Sequence, residues 1–216
     1  MLAIFKREFK SYFQNVIGWL FVAALLAVYG LYFYVYNLKN GYPYISYDLN
    51  GIGFIMMIAV PILTMRSLSD EKKTKTDQLM LTSPVSVGRI VAGKYLAMAA
   101  VYTIVIALFA LSPLVLSIYG KVALSEAYVA LFGYWLYGLS CIAVGLFISS
   151  ISESVIISAI LTFTALFLSY MMQSITGLIS SSGNLLTKVL NCFDLYTPFE
   201  NFVSGCFSVT SAAYYV

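Results

Sequence analysis

From Val16 to Tyr36 the chain runs for twenty-one residues without a charged side chain. Four more charge-free runs follow, at about Gly51–Met65, Tyr95–Tyr119, Ala127–Ser150 and Ser154–Ile175. About 20 apolar residues cross a bilayer as a helix. Within lipid, each backbone N–H and C=O must find its partner inside the segment, so these runs are read as helices. The second run is short and carries Pro61, and it can borrow residues from 44–50. Composition agrees, with 61% hydrophobic and 10% charged residues. Soluble globular chains hold roughly 45–50% and about 25%, respectively. The expected fold is an all-α integral membrane protein: a single transmembrane domain over residues 1–216 with five complete spans. The first run exceeds a signal-peptide core, and Asn37-Leu38-Lys39-Asn40-Gly41 offers no small-residue cleavage site, so it reads as an uncleaved anchor.

Basic residues set the orientation. Lys6, Arg7, Lys10, Arg66, Lys72, Lys73, Lys75, Arg89 and Lys94 fall on one side, against Lys39, Lys121 and Lys188 on the other. Nine against three predicts a multi-pass protein of the bacterial cytoplasmic (inner) membrane, with the N-terminus and the 66–94 loop in the cytoplasm. Tyr32, Tyr34, Tyr36, Tyr42, Tyr44 and Tyr47 then form an aromatic belt at the outer interface.

Residues 1–15 have the pattern of an amphipathic helix. Leu2, Phe5, Phe9, Tyr12, Phe13 and Val16 share one stripe, opposite Lys6, Arg7, Lys10 and Gln14. A basic, aromatic helix of this kind lies among anionic headgroups. The alternative is an earlier start to the first span; the interfacial helix is preferred, entering the membrane near 15–18.

Histidine is absent, which removes Ser-His-Asp and Cys-His catalysis, HExxH zinc sites and His-ligated haem. Cys141, Cys192 and Cys206 are too few and too scattered for a metal cluster. Pairing of Cys192 with Cys206 on an oxidising face is left open. Gly88 to Lys94 fits G-x-x-x-x-G-K, but Tyr95 stands where Ser or Thr must hold magnesium, and a span follows at once. Gly88 and Gly93 are better read as opening a helix, with Lys94 at the interface. No ionisable residue is expected inside the spans, with Arg66, Glu126 and Glu153 at their ends, so no ion relay is visible. Energy for uphill transport would have to enter through a partner. No cofactor and no nucleic acid are expected on this chain, and the charge-free spans favour an amphipathic or apolar cargo.

The 66–94 loop carries Asp70-Glu71-Lys72-Lys73-Thr74-Lys75-Thr76-Asp77-Gln78, then Leu79-Met80-Leu81 and the helix stop Thr82-Ser83-Pro84. Glu71 and Lys75 make a favourable i,i+4 pair on a helix. A charged run is usually a solvated loop, yet this one ends in an apolar patch suited to gripping another protein.

The run from Pro61 to Ser86 resembles the ABC-2 type permeases of bacterial ABC exporters, closest to those of gliding-motility and nitrous-oxide operons. Arg66, Glu71, Thr76, Leu79, Leu81, Thr82, Ser83, Pro84 and Val85 match their pattern. Asp70, Lys75 and Gln78 depart from it, standing for Glu, Gly and Glu. The departures keep polarity and helix propensity. Gly93-Lys94, Gly145-Leu-Phe-Ile-Ser-Ser and Tyr196-Thr-Pro-Phe-Glu-Asn-Phe extend the resemblance along the chain.

The resemblance implies six spans, the last starting near Ser211. It also implies a coupling helix over about 70–82, seated on a separate ABC ATPase subunit that carries the ATP and magnesium. Arg66, Asp70, Glu71, Thr76, Asp77, Gln78, Leu79 and Leu81 would form that contact, and Ser150, Ser152 and Glu153 a second one. Residues 176–210, including Pro198 and Glu200, would make an outer re-entrant region. A second permease copy, identical or related, would complete the pathway. The competing expectation is a membrane anchor or sensor that recruits a cytoplasmic partner without transporting anything.

Overall fold

The computed structural model describes residues 2–76, 86–119, 122–179, 194–205 and 208–215. Helix α1 (Leu2–Gln14) precedes α2 (Val16–Phe33), which widens into π-helical turns over Tyr34–Lys39. Next come α3 (Ser46–Thr64), the short α4 (Ser69–Lys73), α5 (Val87–Phe109) and α6 (Ser112–Tyr119). Helices α7 (Leu124–Ile151), α8 (Val155–Ile179), α9 (Thr197–Val203) and α10 (Val209–Tyr215) complete the described chain. Among the described residues, five stretches are long and apolar enough to span a membrane: Val16–Lys39, Ser46–Lys73, Val87–Tyr119, Leu124–Ile151 and Val155–Met172. The chain is an all-α membrane protein, and these are the five spans expected.

Helix α3 is the axis of the bundle. Leu49, Ile52, Met56, Met57, Val60 and Leu63 are fully buried where α3 meets α2, α7 and α8. The spans built on α2 and α8 lie outermost, exposing Trp19, Leu31, Ile156, Ile160 and Phe163. In water such a surface would be a liability; in lipid it is the ordinary exterior. Helix α7 approaches α3 closely because Gly145 has no side chain: a Cβ there would lie 2.5 Å from Thr64 Oγ1. Small residues at helix crossings do this routinely in membranes.

Three expectations are corrected. The third span is two helices, α5 and α6, broken at Ala110–Leu111. Pro113 has no N–H to offer Phe109, and the Ser112 hydroxyl donates to the Phe109 carbonyl instead, at 2.7 Å. The second span begins at Ser46 and so takes in Asp48, which is fully buried. Asn37 of the π-helical turn donates its side-chain amide to Asp48, and that pairing lets a carboxyl enter the bundle. Lys94 is also inside, 2% exposed, rather than at an open interface. The spans are therefore not free of ionisable groups.

Helix α1 lies lengthwise along α5. Its apolar stripe carries a chain of ring contacts from Phe5 through Phe9 and Phe13 to Trp19. No residue of α1 is fully buried, as expected of a strut on the outside of a bundle.

Candidate functional site: the loop junction

Four residues after α3, the chain enters α4 with Asp70 and Glu71 in the first helical turn and Lys72 and Lys73 in the last. This is the charge order the helix dipole favours. The helix is held on two sides. Toward α7, Ser149 Oγ accepts from the backbone N–H groups of Leu68 and Ser69, both at 3.2 Å. Lys72 Nζ donates to the Ser150 carbonyl. These bonds satisfy N–H groups that the start of α4 would otherwise leave open.

Toward α5 and α1 the tie is ionic. Lys94 Nζ lies 2.7 Å from Glu71 Oε1 and 3.4 Å from Glu8 Oε1, and it donates to the Ser67 carbonyl at 2.9 Å. Arg7 reaches Glu8 at 2.7 Å and Glu71 at 3.8 Å. Two cations thus meet two carboxylates, and the least exposed of the four charges is the lysine. A charge taken out of water needs this degree of pairing.

A cleft of about 490 Å³ opens beside the cluster, lined by Arg7, Ser11, Tyr12, Arg66, Asp70 and Thr74 among others. The Tyr12 hydroxyl reaches the Leu63 carbonyl at 3.4 Å. Burial pushes its phenol above the ordinary tyrosine range.

Of the residues expected at the loop contact, Arg66 and Asp70 are exposed and line the cleft. Thr76 is exposed, its hydroxyl on the Glu71 carbonyl at 3.3 Å. Glu71 is half-buried and turns onto Lys94 at the edge of the same cleft. Asp77, Gln78, Leu79 and Leu81 lie outside the described residues. At the far end of α7, Ser150 lends its carbonyl to Lys72, Ser152 is buried and Glu153 is exposed. Ser149, Lys94 and Glu8 had not been singled out for the junction. The available signal was Glu8, one acid on an otherwise basic helical face.

A helix running unbroken over about 70–82 is not what the described residues form. Helix α4 ends at Lys73, and Lys75 has a left-handed backbone, φ +55. Glu71 is consequently paired with Lys94 and Arg7 rather than with Lys75. Position 75, where the resemblance implies glycine, thus sits in a left-handed turn and not in a continuing helix. Lys75→Gly should raise thermal stability in detergent by about 0.5–1 kcal/mol, since non-glycine residues pay roughly 1–2 kcal/mol there. A lower melting temperature for the glycine variant would show that the turn is not left-handed.

At the opposite end of the bundle, α9 climbs α7. Phe199 packs on Tyr134 and Tyr137 with ring centroids 5.7 and 5.5 Å apart. Tyr134 lies ten residues into α7, about 15 Å along its axis, so the segment packs well inside the bundle. Asp194 Oδ1 accepts the N–H groups of Tyr196 and Thr197, both at 3.0 Å, and fixes the turn that leads into the helix. Pro198 is in the first turn, where its missing N–H costs nothing. Glu200 is half-buried on the same helix. Residues 180–193, with Lys188 and Cys192, and residue Cys206 lie outside the described residues.

Among the described residues no group of His, Cys, Asp and Glu side chains could hold a metal ion. The G-x-x-x-x-G-K segment lies within α5, and its lysine is engaged with Glu71. Residues 32–212, more than four fifths of the chain, match the family model described as ABC-2 family transporter protein. Comparisons with characterised proteins and with solved structures gave no match.

Proposed function

Because the chain belongs to the ABC-2 family of transporter proteins, and so is a membrane-embedded permease subunit of an ABC transporter rather than a catalytic one, we propose that it forms the substrate pathway of an exporter driven by a separate ATPase subunit. That subunit binds ATP and magnesium and docks on the exposed face formed by Arg66, Asp70 and the residues following Thr76. The observation carrying this reading is the loop junction. Helix α4 is tied to α5 and α7 by buried and half-buried bonds and to α1 by a longer ion pair, while Arg66 and Asp70 stay exposed beside the cleft.

The nine basic residues on this side support a cytoplasmic location for it, at a bacterial inner membrane. The second, smaller contact of the ATPase falls at Glu153, exposed beyond the end of α7. A second permease copy packs beside this one and closes the pathway. The α9 segment, with Pro198 and Glu200, lies at the outer side.

The test is copurification of the ATPase with the tagged full chain. Asp70→Arg should reduce recovery about two- to fivefold, the range of exposed charge pairs. Tyr44→Ala, at the opposite end, should leave it unchanged. Equal recovery with both variants would remove Asp70 from the docking face.

A further inference from the structure

The Lys94 ammonium donates to two segments and forms an ion pair with a third. Glu71 of α4 lies at 2.7 Å, the Ser67 carbonyl after α3 at 2.9 Å, and Glu8 of α1 at 3.4 Å. The lysine itself belongs to α5 and is 2% exposed. Moving α4 away from α5 would therefore strand a buried ammonium and two carboxylates, which is costly. On its other side α4 is bonded to Ser149 and Ser150 of α7. Lys94 and Glu71 line the cleft beside Arg66 and Asp70, but their charges are engaged with each other at 2.7 Å and Lys94 is almost wholly enclosed.

From this we infer that Lys94, with Glu71 and Glu8, is the joint through which movement of the loop reaches the third span and the N-terminal helix. Lys94 and Glu71 are positioning residues: the ATPase touches neither, yet the outer end of α5 responds to ATP only while they are paired. The inference rests on the permease reading above and adds the route that the movement takes.

The experiment uses the complex of the full chain with its copurifying ATPase. A reporter cysteine is placed at Leu111, exposed just past the end of α5, in a Cys192→Ser/Cys206→Ser background. Its labelling by a membrane-impermeant maleimide is timed with and without ATP plus vanadate. With Lys94 and Glu71 intact, ATP plus vanadate changes the labelling rate. Lys94→Met and Glu71→Gln should each cut that change at least fivefold while the ATPase still copurifies, and Lys94→Arg should restore at least half of it.

If Lys94→Met does not fold, Glu71→Gln decides alone, since it keeps shape and an acceptor oxygen. An undiminished change in Glu71→Gln overturns the joint. Loss of the ATPase from that variant also overturns it, because the cluster would then belong to the docking face. Failure of the unmutated chain to copurify any ATPase is a different result, and it strikes the permease–ATPase reading itself.

Discussion

Gly145→Val should destabilise the bundle by about 2–3 kcal/mol, with sharply reduced yield of folded protein in detergent. The new Cβ would meet Thr64 Oγ1 at 2.5 Å and Thr64 Cγ2 at 2.9 Å, where α7 crosses α3. Neither helix has room to yield. Thr64 is fully buried, its hydroxyl bonded to the Val60 carbonyl at 3.0 Å, and Leu63 and Leu146 pack on either side. Overpacking of a close-packed interior typically costs about 1–3 kcal/mol, and valine adds two further methyl groups. The crossing also lies just one turn from Ser149, so the loop junction should loosen with it.

A double-mutant cycle separates this clash from a general intolerance. Thr64→Ala removes both nearest atoms, and Gly145→Ala/Thr64→Ala should be less destabilised than the sum of its parts. Additive losses would mean that the two helices do not cross there.

Asn37→Leu should cost about 1–3 kcal/mol, because the fully buried Asp48 side chain loses its amide donor. Asn37 Oδ1 and Asp48 Oδ1 have no protein partner among the described residues, so the pair is only half satisfied to begin with. Replacing both residues by leucine should for that reason recover the loss, or more. Thermal unfolding of the two single variants and the double variant in detergent checks this. A double variant no more stable than Asn37→Leu would mean that the pair is better satisfied than this arrangement allows. The prediction bears on function as well as stability, since π-helical turns concentrate at functional sites and this one ties the end of the first span to the start of the second.

The number and order of the spans were legible because bilayer thickness imposes a length on charge-free runs. Their ends were not. That the second span could borrow from 44–50 was legible, but not that Asn37, eleven residues before Asp48, would let that carboxyl be buried there. The break at Pro113 was visible as a proline; that Ser112 would cap Phe109 was not.

At the junction, the charge pattern of Arg66 and Asp70 was legible because it is local. Lys94 was misread because what buries it comes from Glu71 and Glu8, 23 and 86 positions away, and no periodicity carries such pairings. The turn at Lys75 was hidden for the opposite reason: a lysine reads as a helix former, and only the glycine of the resembling permeases hinted at φ above zero.

The most direct test of the account is purification of the full chain from its native membrane, with its subunits counted and ATP hydrolysis measured. The account predicts a nucleotide-binding subunit in equal number with this chain and hydrolysis abolished by vanadate. Recovery of the chain free of any ATPase, or joined through the 66–94 loop to a protein that hydrolyses no nucleotide, would contradict it.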